Sequence, residues 1–208
     1  MMLDFIIFGA IAYLLGSIPT AVWVGRAKYG VDVREHGSKN AGATNTFRVL
    51  GKKPGIVVLS IDIIKGFVAV ILPFLFGVGD WNSEHLIQAK LVCALLAVLG
   101  HVLPVFAGFN GGKGVATSLG VIIGVHPLAA AVCLGLFLIV FLLSKFVSLG
   151  AITAACSFPL SIVFIFKTTS VWLIVFSVVL SLAVIYAHKK NIGRLIKGEE
   201  NRMNLFKK

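Results

Sequence analysis

Charge is what this sequence has least of. Asp, Glu, Lys and Arg make up 13% of its 208 residues, and only 8 side chains are acidic. A soluble domain carries about 25% charged residues. With 58% apolar residues and a mean hydropathy of +1.00, the chain reads as an integral membrane protein. Cysteine is scarce as well: Cys93, Cys133 and Cys156 lie in apolar runs without a Cys-x-x-Cys spacing, so they read as packed thiols rather than a disulfide framework or metal site. The histidines lack acidic partners. The residues five places after them are Ala41, Lys90, Phe106, Ala131 and Gly193, which removes the His-x4-Asp pairing of base and orienter. A Gly-x-Ser-x-Gly elbow and a His-Glu-x-x-His helix are missing too. An enzyme of this sequence would work without a nucleophile triad, a metal or a cofactor, by positioning and charge stabilisation on an already activated donor. Met1-Met2-Leu3-Asp4 holds no basic residue, so a cleaved signal peptide is not expected.

Apolar runs are what the chain has in abundance. A helix needs about 20 apolar residues to cross the hydrocarbon, and residues 3–24, 55–78, 86–106, 146–166 and 171–187 qualify. Gly16-Ser17-Ile18-Pro19 marks a kink or close-packing point in the first, and Asp62 and Lys65 interrupt the second. Residues 26–53 form a polar segment with seven Lys or Arg, residues 79–85 a short acidic turn, and a basic tail begins at His188. The run 115–143 contains Gly124-Val125-His126-Pro127 and fits either one kinked helix or a hairpin of two.

Charge decides between those two. With 26–53 on the cytoplasmic side, as the positive-inside rule requires, a single helix would export Lys189, Lys190, Arg194, Lys197, Arg202, Lys207 and Lys208. The hairpin keeps that tail inside together with Lys113 and Lys145, and leaves only Lys90 and Lys167 near the outer face. Pro127 also disfavours an unbroken helix. The expected fold is therefore all-α: a polytopic membrane bundle of seven transmembrane helices, one domain over 1–208, N-terminus outside and C-terminus cytoplasmic. Residues 115–125 span only about 16 Å as a helix, so the loop ahead of them should sit below the membrane surface. The polar segments 26–53, 108–114, 144–149 and 188–208 then share the cytoplasmic face. The net charge of +11 lies in short segments flanking spans, which indicates topology and contact with anionic membrane lipid rather than nucleic acid.

Against this apolar background, residues 108–117 stand out, with four glycines and one lysine in ten positions. Irregular backbone at membrane depth survives only inside protein or facing water. Gly111, Gly112 and Gly114 let the backbone approach a ligand, a helix starting at Val115 aims N–H groups forward, and Lys113 adds an ammonium. That describes a phosphate cradle; a Gly-rich turn with a topology-setting lysine is the plainer alternative. A nucleotide P-loop is excluded, because Ala107 stands at the first Gly and Gly114 replaces the Ser/Thr after the Lys. In residues 37–48, Ser38, Asn40, Thr44 and Asn45 can donate to phosphate oxygens, and Arg48 offers a bidentate fork. A solvated capping loop is the alternative there. His101 lies inside a span and is a functional candidate by position. Asp62 and Lys65, three apart, can pair on one helical face in a structural role. His188 and Asn191 share a face by the same spacing, while His85 and His126 read as ordinary.

Together Gly16–Pro19, residues 37–48, Asp62-Ile63-Ile64-Lys65-Gly66, residues 100–106, 111–117 and 188–200 resemble the bacterial membrane acyltransferases that acylate glycerol 3-phosphate from acyl phosphate. The likeness runs from residue 3 to about residue 200. It implies transfer of a fatty acyl chain to the 1-hydroxyl of glycerol 3-phosphate, giving lysophosphatidic acid and inorganic phosphate. This is the first step of phospholipid synthesis, without metal or acyl-CoA. It further implies a multi-pass protein of the bacterial cytoplasmic (inner) membrane with its active site toward the cytoplasm. By that resemblance Ser38, His188 and Asn191 form the catalytic set. Ser38, Arg48 and Lys113 contact glycerol 3-phosphate, and His188 and Asn191 handle its hydroxyls. Thr44, Gly112 and a hydroxyl in the Ser148 loop hold the donor phosphate. Asn40, Gly111 and Gly114 complete the substrate-binding set, with His101, Asp62, Lys65, Arg194 and Glu200 in support. The proton from the acceptor hydroxyl has two receivers, His188 and substrate phosphate. A soluble enzyme producing acyl phosphate is the implied neighbour. The rival readings are a transporter of phosphorylated metabolites and a structural lipid-binding protein. The first expects two matched halves, which are not evident, and the second gives His101 and Lys113 nothing to do.

Overall fold

The structure, a computed structural model, describes residues 2–80 and 83–203. Part of the acidic turn at 79–85, and Lys207 and Lys208 of the basic tail, lie outside the described residues. Among the described residues there are helices and no strands, so the protein is an all-helical membrane protein. Five stretches are long and apolar enough to cross a membrane: Met2–Tyr29, Lys52–Leu75, Glu84–Ala107, Pro127–Ser144 and Val147–Ile165. The pair Val171–Ala187 and Lys189–Ile196, bent by 61°, makes a sixth. The remaining member of the expected seven is the shorter Val115–Val125, of 11 residues. Contacts divide the chain into two compact units, Met1–Val125 and His126–Lys208.

The first unit holds α1 (Met2–Gly16), α2 (Thr20–Tyr29), α3 (Ala43–Leu50), α4 (Lys52–Leu75), α5 (Glu84–Val102) and α6 (Val115–Val125). The expected break at 16–19 separates α1 from α2, because Pro19 has no N–H and restricts Ile18 before it. Ser83 caps α5, its Oγ accepting from Leu86 N–H at 3.3 Å. Proline ends the same helix: α5 stops at Val102, two residues before Pro104. Helices α4 and α6 meet at backbone distance. A Cβ on Gly66 would strike the carbonyl of Thr117, and one on Gly120 would strike the carbonyl of Ile63, with Phe67 N at 3.0 Å. Side-chain-free positions are how membrane helices approach this closely.

The second unit holds α7 (Pro127–Ser144), α8 (Val147–Leu160), α9 (Val171–Ala187) and α10 (Lys189–Ile196). The run 115–143 is indeed two helices. His126 stands between them in non-helical backbone (φ −151°, ψ 85°), its Nδ1 accepting from Ala129 N–H, and Pro127 opens α7 where a missing N–H is harmless. Pro159 leaves α8 short of a bond, and a π-helical turn over Ser161–Ile165 follows. Cys133 is buried and accepts from Ser157 Oγ at 3.5 Å, Cys156 is exposed, and in the first unit Cys93 is buried.

Candidate active site

In the first unit the segment after α2 is folded around one amide. Asn45, 1% exposed at the start of α3, accepts from Ser38 N–H at 2.8 Å. Its Nδ2 donates to the carbonyls of Val33 (2.6 Å) and His36 (3.1 Å). Both amide hydrogens are therefore committed to backbone, and Asn45 shapes the loop instead of meeting a phosphate. That arrangement leaves Ser38 exposed, Asn40 and Thr44 half-buried, and Arg48 exposed at the end of α3.

A second tether ties this segment to the glycine loop. Arg34 grips Asp32 with Nε and Nη2 (3.1 and 2.8 Å) and donates from Nη1 to the carbonyl of Ala107 at 2.8 Å. Arg26 reaches the same carboxylate at 2.8 Å. The Arg34 side-chain bonds, above all, hold the Asp32 carboxyl well below the usual carboxylate range; burial opposes them and is outweighed. Bonds to Asp32 raise Arg34 in turn, against its own burial. Sequence reasoning passed over both residues, although a bidentate Arg–carboxylate pair flanking a short turn is a strong local signal.

The glycine loop follows α5. Gly112 N–H donates to the His101 carbonyl at 3.1 Å, so that amide serves the fold and is not among those offered to a ligand. Beyond it Gly114 takes φ +79° and accepts from Ser118 N–H at 2.6 Å, which starts α6. Helix α6 begins with first-turn amides that have no partners inside the helix, and Lys113 sits half-buried just ahead of them. The hydroxyls of Thr117 and Ser118 in this turn are buried and make no hydrogen bond.

Beneath the loop lies a buried charge cluster. Asp62 and Lys65 pair at 2.8 Å as their spacing predicts, with side chains 2% and 4% exposed. Lys65 Nζ also donates to the Ile18 carbonyl at 2.8 Å, in the break between α1 and α2. Asp62 Oδ1 accepts from Thr20 Oγ1 at 3.1 Å and stands 3.6 Å from His101 Nδ1. Thr20 has no part in the motifs read from sequence.

The second unit builds its own cluster around Glu200. Ser148 Oγ and Asn191 Nδ2 donate to Oε1 at 2.9 and 2.7 Å, and Arg194 Nε donates to Oε2 at 2.6 Å. Burial opposes ionisation of Glu200, yet the bonds from Arg194, Asn191 and Ser148 together hold its carboxyl below its ordinary value. Ser148 differs from expectation. It is buried in the first turn of α8 instead of lying in a loop, because Ser144 Oγ accepts from Phe146 N–H and lets the helix resume at Val147. His188, 3% exposed at the end of α9, makes a 2.8 Å bond from Nδ1 to the Val184 carbonyl. A carbonyl only accepts, so Nδ1 carries the proton of this bond.

First-turn amides of a helix with a lysine just ahead of them in the first unit, and a buried histidine and a carboxylate-centred cluster in the second, are residue types able to bind anions and to move protons. The family model described as glycerol-3-phosphate acyltransferase matches residues 6–198. A glycerol-3-phosphate acyltransferase of Chlorobaculum tepidum is 40% identical over 100% of both chains. That of Fusobacterium nucleatum is 42% identical over 95% of this chain and 97% of its own. A crystal structure of PlsY (YgiH), an integral membrane glycerol 3-phosphate acyltransferase, in its glycerol 3-phosphate form superposes with a TM-score of 0.86 at 39% identity, covering 98% of this chain and 99% of that one. The lysophosphatidic acid form gives 0.83 at 39% identity over 97% and 96%. With nearly the whole chain matched in both sequence and fold, the protein belongs to the glycerol-3-phosphate acyltransferase family and is an integral membrane enzyme.

Proposed function

We propose that the protein transfers a fatty acyl group from acyl phosphate to the 1-hydroxyl of sn-glycerol 3-phosphate, releasing lysophosphatidic acid and inorganic phosphate. Acyl phosphate is a mixed anhydride. The hydroxyl oxygen attacks the acyl carbon, the bond from that carbon to the phosphate oxygen breaks, and phosphate leaves without strong acid catalysis. The donor's chain stays in the bilayer while its head meets a water-soluble acceptor. In this reading Ser38, Arg48 and Lys113 hold glycerol 3-phosphate, with Asn40 and the loop backbone at Gly111 and Gly114 beside them. His188 and Asn191 meet its hydroxyls, and Thr44 and Gly112 border the donor phosphate. The hydroxyl proton passes to His188 Nε2 or to substrate phosphate. Ser148 joins the donor site only by turning its hydroxyl away from Glu200; otherwise it serves through that carboxylate.

The observation that carries this reading is the glycine loop itself, with Lys113 set directly ahead of the amides of α6. Its weight is increased by relatives described in a glycerol 3-phosphate form and a lysophosphatidic acid form. We place the protein in the bacterial inner membrane as one catalytic domain of seven spans, N-terminus outside and C-terminus and active site cytoplasmic, fed by a soluble enzyme that makes acyl phosphate. Purified protein in detergent or lipid mesophase, given long-chain acyl phosphate and glycerol 3-phosphate without added metal, should release phosphate and form lysophosphatidic acid. Release no faster than spontaneous hydrolysis of the donor refutes the reading.

A further inference from the structure

Gly112 of the glycine loop is seated on a single side chain. Gly112 bonds through its N–H to the His101 carbonyl, and the space beside its Cα is filled by the same residue's ring. A Cβ at Gly112 would run into Nε2, with Cε1 at 3.0 Å and Cδ2 at 3.1 Å, so its three nearest neighbours all belong to one imidazole. Gly111 is pressed onto the same place, against the His101 carbonyl and, 2.6 Å from the position of a Cβ, Pro104 Cδ.

The far edge of the ring is backed by a carboxylate. Nδ1 faces Asp62 Oδ1 at 3.6 Å. Asp62 is held in turn by Lys65 on its own helix and by Thr20 from α2, and Lys65 is anchored to the Ile18 carbonyl. Asp62, Lys65 and His101 are 1%, 5% and 6% exposed. The imidazole is a spacer between a fixed carboxylate and a stretch of bare backbone.

We propose that His101 is a positioning residue for acyl transfer: its ring, backed by Asp62, sets the height of the Gly112 backbone and thereby the placement of Lys113 and the first-turn amides of α6. The inference rests on the acyltransferase reading given above. It assigns His101 no contact with substrate.

The test is allele-specific suppression. Gly112→Ala drives a methyl into the ring. A loop displaced by about 1 Å loses on the order of a hundredfold in rate or affinity, and here the loss should fall mainly on KM for glycerol 3-phosphate, with less change in kcat. His101→Asn keeps a polar group near the place of Nδ1 and lacks Nε2 and Cε1; His101→Gln keeps an amide near the place of Nε2. Adding His101→Asn to Gly112→Ala should recover at least about tenfold in kcat/KM, a coupling of neighbours that independent sites do not show. His101→Gln should recover little. His101→Ser replaces the Asn variant if the latter does not accumulate in the membrane. Multiplicative losses in the double variants, or equal suppression by Asn and Gln, overturn the proposal. Wild-type protein runs in the same assay. If it transfers no acyl group, the enzyme reading itself fails; active wild type with no suppression sinks the role of His101 alone.

Discussion

Replacing Lys65 with methionine isolates the energetics of the charge cluster under the glycine loop. The change keeps an unbranched stem and removes the ammonium. Asp62 would retain Thr20 at 3.1 Å and the His101 ring at 3.6 Å but lose its partner at 2.8 Å, while the Ile18 carbonyl loses its donor. With the pair's side chains 4% and 2% exposed, water cannot take over the role of the lysine. Breaking a buried pair from one side costs about 3–5 kcal/mol. At roughly 2–4 °C per kcal/mol for a chain of this size, the midpoint of thermal unfolding in detergent should fall by about 6–20 °C. The double variant Asp62→Asn/Lys65→Met leaves no uncompensated charge and keeps an acceptor for Thr20. It should recover at least half of that loss. A Lys65→Met midpoint within about 2 °C of wild type, equivalent to under about 1 kcal/mol, would refute the argument, as would a double variant that loses the sum of the two single effects.

Arg48→Ala and Lys113→Ala should each lower kcat/KM by about a hundredfold or more, on the scale of losing a charged contact to a bound phosphate, with the protein still inserted; near-normal turnover and affinity in both would remove the phosphate roles assigned to them. Gly120→Ala should destabilise by about 1–3 kcal/mol through overpacking against backbone, whereas Gly135→Ala, where a Cβ meets nothing within 4 Å, should be neutral or slightly stabilising. Equal melting shifts for the two would contradict the close approach of α4 and α6. The Glu200 carboxyl is held below its ordinary 4.5, so its contribution is complete above that value and fades as pH falls through the lowered one. Melting midpoints of wild type and Glu200→Gln should therefore differ at pH 7 and converge in acid, and a gap that widens toward low pH would reverse the assignment.

The helices were largely legible in the sequence, since apolar length, proline and charge placement are local signals. Val115–Val125 and Val171–Ala187 begin and end where those signals put them. The pair of Asp62 and Lys65 could be read from helical spacing alone. What could not be read are bonds between residues far apart in the chain. Thr20 meets Asp62 across 42 positions, Arg34 meets Ala107 across 73, and Ser148 meets Glu200 across 52. Asn45 and Gly112 show a second limit. Residue type marks both as possible donors to a ligand, but only geometry reveals that their N–H groups are used by neighbouring carbonyls. The polar inventory of the candidate site was visible, while its division into groups that shape the loops and groups that face outward was not.

The bare-backbone contact of α4 with α6 bears on how a substrate is received. Side chains between helices can change rotamer and absorb a shift; carbonyl against Cα at Gly66 and Gly120 cannot. Helix α6 is therefore unable to slide or roll on α4 without parting from it, and the amides at its N-terminus arrive already aimed. Under the proposed function, a phosphate docking there has no helix to order, so little of its binding energy is diverted into arranging the protein. In that reading the short helix is less a closing jaw than an anvil, against which the substrate is brought.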